Sequence, residues 1–182
     1  LLIGVELFTL YFSLNTLSSL RAYVGAEGLW SKAQKDAVFH LYKYGVSHTH
    51  HDYVLFNEFM SVPIGDGQAR QELLKILPDM AKARQGFMEG RNHPDDVEGM
   101  IDLFTRFNTI SYIERAIRIW GEAEPIALQL IPIAENLRKE IESEYSSQYK
   151  IDKLLDDINS INTKLTHLED AFSYTLGEGS RW

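Results

Sequence analysis

The chain has 182 residues, 45% of them apolar and 24% charged, and its 18 basic and 26 acidic side chains leave a net charge of -8. That length suits one domain that buries most of the surface its unfolded form exposes, and the composition excludes a wholly disordered tail. No stretch concentrates Lys and Arg as a phosphate-binding surface would, which counts against nucleic acid as a partner, and the lack of cysteine excludes disulfides and thiolate-bound zinc or iron–sulfur sites.

Apolar positions recur at helical spacing nearly throughout, and no stretch shows sustained strand alternation. The expected fold is all-α: one elongated bundle of about three long helices with a cap of short ones. The opening run, residues 1–14, is apolar but shorter than the roughly 20 residues that span a bilayer. It also lacks the basic start and cleavage site of a signal peptide. It reads as the outer end of a membrane helix, the alternative being a buried terminal helix. The first helix then runs to about Tyr44, with Leu10, Leu14, Leu17, Leu20, Val24, Ala33, Ala37 and Leu41 on its inner faces. Gly25 and Gly28, each costing up to about 1 kcal/mol relative to Ala, predict a bend or a close helix crossing.

The middle, residues 48–108, carries turn signals at 63–67, 77–79 and 89–94. These predict short helices that form a membrane-distal cap. Pro94 suits a first helical position, with Asp95 and Asp96 in the first turn facing the positive end of the helix dipole. A third long element, from about Ile110 to Tyr145, contains Pro125 and Pro132, which kink or divide it because each removes a backbone donor. In the last helix Ile151, Leu154, Ile158, Ile161, Leu165, Leu168 and Phe172 form a heptad seam. A partner helix of the same chain is the favoured occupant, and a homodimer is the other. Beyond Gly177 the chain places Arg181 beside Trp182, a pairing common at membrane interfaces. Both ends then fall together, as a loop projecting from a membrane between two spanning helices requires.

Candidate chemistry is sparse. His48, His50 and His51 lack the i, i+4 spacing of helical metal ligands and read, with Asp52, as a solvated turn. The segment from Asn92 to Asp96 reads as a helix cap in preference to a catalytic His and carboxylate pair. Trp30, Lys32, Lys35 and His40 with Arg84, Arg91 and Arg106 are the candidate lining of a pocket for a small anionic or aromatic ligand where stalk and cap join. The competing reading pairs Lys32 with Asp36 and points the long basic side chains to water. Nucleophile, Walker and dinucleotide motifs are absent from the sequence, so no catalytic residue, cofactor or metal ligand is assigned.

Several segments form a recognisable group: residues 20–37, whose core is Trp30-Ser31-Lys32-Ala33-Gln34-Lys35-Asp36; 86–90; 92–96; Ile119-Trp120; and 176–182. They resemble the N-terminal periplasmic domain of bacterial sensor histidine kinases and of membrane-bound diguanylate cyclases or phosphodiesterases. The resemblance covers residues 17–182. It implies an extracytoplasmic signal-sensing domain of an inner-membrane protein, set between two transmembrane helices and followed by a cytoplasmic output module. Its partner would be a small-molecule ligand or a periplasmic protein. The fragment itself is then not an enzyme, and no ligand-contacting residue carries over from the family. The alternative is a soluble helical scaffold or oligomerisation module, with residues 1–14 buried in a partner chain.

Overall fold

A computed structural model describes residues 2–106, 108 and 110–179. Among these the chain forms seven helices and no strand: α1 (Leu2–Ser47), α2 (His50–Leu73), α3 (Met80–Glu89), α4 (Pro94–Arg106), α5 (Ser111–Leu128), α6 (Leu130–Ile141) and α7 (Gln148–Gly179). The pairing of Arg181 with Trp182 lies outside the described residues.

The 46 residues of α1, at about 1.5 Å each, make a rod of roughly 70 Å. Leu20, Tyr23, Ala26, Trp30, Ala33, Ala37, Leu41 and Tyr44 are buried along it, at spacings of three and four that define one apolar stripe. Gly25 and Gly28 sit on the exposed face, and a Cβ added at either would meet nothing within 4 Å. The expected crossing at these glycines is therefore not formed; packing of the opposite face carries the helix through them.

At His48, whose φ is 56°, the chain reverses into α2. Buried Asp52 fastens this hairpin: His40 Nδ1 and Lys43 Nζ lie 2.9 and 3.1 Å from its Oδ1. The turn expected at residues 63–67 is not a turn, since Pro63 lies inside α2. Burial of Phe56, Met60, Val62, Ala69 and Leu73 outweighs the one donor that proline removes. The neighbouring glycines serve contact instead. A Cβ on Gly65 would stand 2.5 Å from Gly90 N, and one on Gly86 would stand 2.7 Å from Ala69 N, so the α2 and α3 backbones touch.

The other two turn signals end helices as expected. Asp79 caps α3 by accepting from Ala81 N and Lys82 N, and α4 begins at Pro94 with Asp95 and Asp96 in its first turn. The imidazole Nδ1 of His93 accepts from Asp95 N at 3.2 Å. Asn92 turns inward and donates to Asp66 Oδ1 at 2.7 Å and to Phe87 O at 2.9 Å.

The short helices form one core with Leu20, Tyr23 and Ala26 of α1 and Phe172 and Leu176 of α7. This cap therefore sits at the end of the bundle where α7 finishes, rather than around the α1–α2 turn. The reason is the unbroken α2, whose 24 residues carry the chain back along α1 by about 36 Å before any short helix begins. The third long element is divided at Gln129. Pro132 has no N–H to offer the carbonyl four residues back, and its ring crowds that carbonyl; Pro125 stays inside α5.

The seam of α7 is internal. Ile151, Leu155, Ile158, Ile161 and Leu165 pack with Trp30, Leu41, Tyr44, Leu130 and Leu137 in a second core. Ser173 Oγ donates to Glu27 Oε1 at 2.8 Å, which sets the last turns of α7 beside residues 17–27 of α1. Ahead of that contact α1 runs on with Ile3, Leu7, Leu10, Leu14 and Leu17 each more than half exposed, so Leu10, Leu14 and Leu17, like the exposed Val24, do not lie on the inner face expected of them, because no other described helix covers that side. Among the described residues no helix is long and apolar enough to cross a membrane.

Candidate functional site

Where the two cores meet, the helices leave a small cavity of about 40 Å³ that is partly open to solvent. Tyr23 and Trp30 line it from α1, two turns apart and so on one face. Ile119, Trp120 and Ala123 enter from α5, Leu168, Glu169 and Phe172 from α7, Asp66 from α2 and Met100 from α4. The aromatic rings pack on one another: Tyr23 meets Trp120 edge-on at 5.8 Å and Phe172 at 6.0 Å. Phe104 supports Trp120 from behind at 6.4 Å.

The polar atoms in this apolar setting are underused. Tyr23 Oη, Trp30 Nε1, Trp120 Nε1 and Glu169 Oε1 are buried without a well-formed hydrogen bond, as are both amide atoms of Gln34, one turn beyond Trp30. Each such group costs about 1–3 kcal/mol when it stays unmatched. A concentration of them around one space marks a site that a ligand or water completes.

Three carboxyls adjoin the same space. Glu169 Oε2 lies 2.7 Å from Lys35 Nζ, and burial nevertheless raises its pKa against the pull of Lys35 and Ser31. Burial raises the Asp66 carboxyl well above the usual range, with the Asn92 hydrogen bond opposing. Glu27 stands partly exposed at the edge. Burial also raises the Tyr23 phenol, helped by the charge of Asp66 and opposed by Arg70. Arg70 is held by Glu124 at 2.7 Å, with its guanidinium 6.0 Å from the Trp120 ring centre. Gly67 leaves room for that pair, since a Cβ there would stand 2.8 Å from the Glu124 carboxyl carbon.

Of the residues singled out from sequence, Trp30 lines the cavity and Lys35 reaches it through Glu169. The others do not converge on it. Lys32 is exposed. His40 sits by Asp52 and stacks on Phe59 at 5.6 Å. Arg84 is paired with Glu98. Arg91 lies 3.3 Å from Glu58 and over Phe59, and Arg106 is 3.1 Å from Asp102. The reason is local: Arg84, Arg91 and Arg106 each have a carboxylate within reach on their own helix or an adjacent one, so the expected basic lining is replaced by an acidic and aromatic one.

Sequence reasoning missed Tyr23, Asp66, Trp120, Glu169 and Phe172 as a group. One signal was available: Glu169 follows the seam residue Leu168 and precedes Phe172 by three, which sets a carboxylate next to an inward stripe. Among the described residues no group of three or more His, Cys, Asp or Glu is placed to hold a metal ion. The arrangement offers donors, carboxylates and aromatic faces in one desolvated space, which suits holding a small molecule. No family model, curated protein or solved structure matches the chain.

Proposed function

We propose that this chain is the extracytoplasmic sensing domain of a bacterial transmembrane signalling protein of the histidine kinase or diguanylate cyclase and phosphodiesterase type, with the cavity as its input site. The observation that carries this reading is the position of the cavity. It lies between α1 and α7, next to the contact of Glu27 with Ser173 near the end of α7, ahead of which α1 runs on as an exposed apolar stretch. A ligand that contacts Tyr23 and Trp30 on one helix and Glu169 and Phe172 on the other has different affinities for different relative positions of the two, and that difference is what biases a two-state element. The exposed residues from Ile3 to Leu17 then belong in lipid, which accounts for a row of apolar side chains that water would otherwise surround. The output chemistry belongs to a cytoplasmic module.

The test uses the intact protein encoded by the gene, in living cells. Ile76, 98% exposed in the turn between α2 and α3, is replaced by Cys in a background free of other cysteines and offered a membrane-impermeant thiol reagent. Labelling in intact cells, with the protein retained in washed membranes, supports the reading. Labelling only after lysis overturns it and favours a scaffold or oligomerisation module.

A further inference from the structure

The cavity also restricts the chemistry of its ligand, an inference that rests on the sensing role proposed above. Its lining contains no basic side chain, while Glu27, Asp66 and Glu169 all adjoin it. Of the nearest cations, Lys35 is 50% exposed and already on Glu169 Oε2, and Arg70 is bound to Glu124. An anion would enter a low-dielectric space facing carboxyls, with no counter-charge left to meet it. Four aromatic side chains, Tyr23, Trp30, Trp120 and Phe172, supply ring faces that attract cations, and Trp does so best. Arg70 over Trp120 shows one of these rings already accepting a guanidinium. Glu169 Oε1, on a residue 6% exposed, accepts no well-formed hydrogen bond. The remaining lining of Ala26, Met100, Ile119, Ala123 and Leu168 is apolar, so the ligand body is apolar as well.

We propose that the cavity binds a small organic monocation of the methylated or short-chain alkylammonium type, held among Tyr23, Trp30, Trp120 and Phe172 with Glu169 and Asp66 as its counter-charges. Both carboxyls are desolvated, Glu169 with Lys35 on one oxygen only and Asp66 with Asn92 as its partner, and an ammonium beside them favours their charged forms.

Choline and tetramethylammonium are the probes, titrated into the protein and followed by calorimetry and by tryptophan emission, since two of the three tryptophans line the site. The control is the uncharged carbon isostere of choline, in which carbon replaces the ammonium nitrogen. Saturable binding of a cation at least about tenfold tighter than the isostere supports the proposal. So does a comparable loss in Glu169→Gln and in Trp120→Phe, each checked for an unchanged helical circular dichroism spectrum. Equal binding of the isostere, binding of benzoate in place of the cations, no cation binding, or full affinity in Glu169→Gln each overturns the ligand class. None of these touches the topology experiment at Ile76, so the sensing role and the ligand class fail separately.

Discussion

Lys35 on α1 reaches Glu169 on α7 at 2.7 Å, and the two partners differ sharply in exposure: the lysine side chain is half exposed and the carboxylate 6% exposed. The pair therefore ties the two helices of the proposed signal path at the wall of the cavity, with one member in water and the other desolvated. Removing the lysine leaves a buried carboxyl without its counter-charge. Lys35→Met is expected to lower unfolding free energy by about 1–2 kcal/mol, between the values for exposed and for buried pairs. Glu169→Gln in the same chain should recover most of that loss. Urea denaturation of both single variants and the double variant measures it; strict additivity would show that the pair is not coupled.

The Asp66 carboxyl gives the molecule a distinctive pH dependence. Its folded-state pKa is raised by burial, so folding favours the protonated form. The stability it contributes is present below the unfolded carboxyl value and is lost as pH rises through the raised folded value. Asp66→Asn keeps an acceptor for Asn92 and never ionises. The variant should gain on the parent with rising pH, by up to about 1.4 kcal/mol per pH unit between those limits. Denaturation curves from acid to mildly alkaline pH test this, and a difference that does not grow with pH removes Asp66 as the cause.

Asp52 predicts the opposite sign. Its carboxyl is held below the usual range by the His40 hydrogen bond first and by Lys43, against desolvation. Its contribution is present above the unfolded carboxyl value and is lost as pH falls through the lowered folded value. Asp52→Asn should therefore destabilise the α1–α2 hairpin at neutral pH, with the difference from the parent closing in strong acid. Amide hydrogen exchange around residues 40–56 reports it, and unchanged protection at neutral pH would show that the hairpin does not depend on this contact.

Two classes of glycine should respond oppositely to alanine. Gly86→Ala drives a methyl to 2.7 Å from Ala69 N and 2.8 Å from Gly65 O, and neither backbone atom can yield without separating α2 from α3. A loss of about 2 kcal/mol or more is expected. Gly25→Ala and Gly28→Ala meet nothing within 4 Å on the exposed face of a helix, and each should add up to about 1 kcal/mol. Thermal melts of the three variants decide the matter. A drop in melting temperature for Gly25→Ala would mean that another surface packs on that face.

Much of the fold was legible in the residues alone. Leu20, Ala33, Ala37, Leu41 and Tyr44 on the inner face of α1, the seam from Ile151 to Phe172 with Leu155 in place of Leu154 as its buried member, the start of α4 at Pro94 and the division near Pro132 are local signals, set by periodicity and by which backbone groups a residue can offer. What lay beyond reach were contacts between segments distant in the chain. Gly65 read as a turn former and Gly86 carried no turn signal, and only the α2–α3 crossing shows that the small size of both serves backbone contact across helices. Gly25 and Gly28 invited the same role where no helix arrives. The basic residues from Lys32 to Arg106 looked like a pocket because they share a charge, yet Arg106 binds Asp102 one turn back on its own helix, and Arg84 and Arg91 bind Glu98 and Glu58, which packing brings within reach. The cavity itself is assembled from five helices, pairing Tyr23 with Phe172 and Asp66 with Asn92. Helical spacing determines which face of each helix turns inward; how five inward faces meet, and which polar atoms are left unmatched there, is decided only when the helices pack.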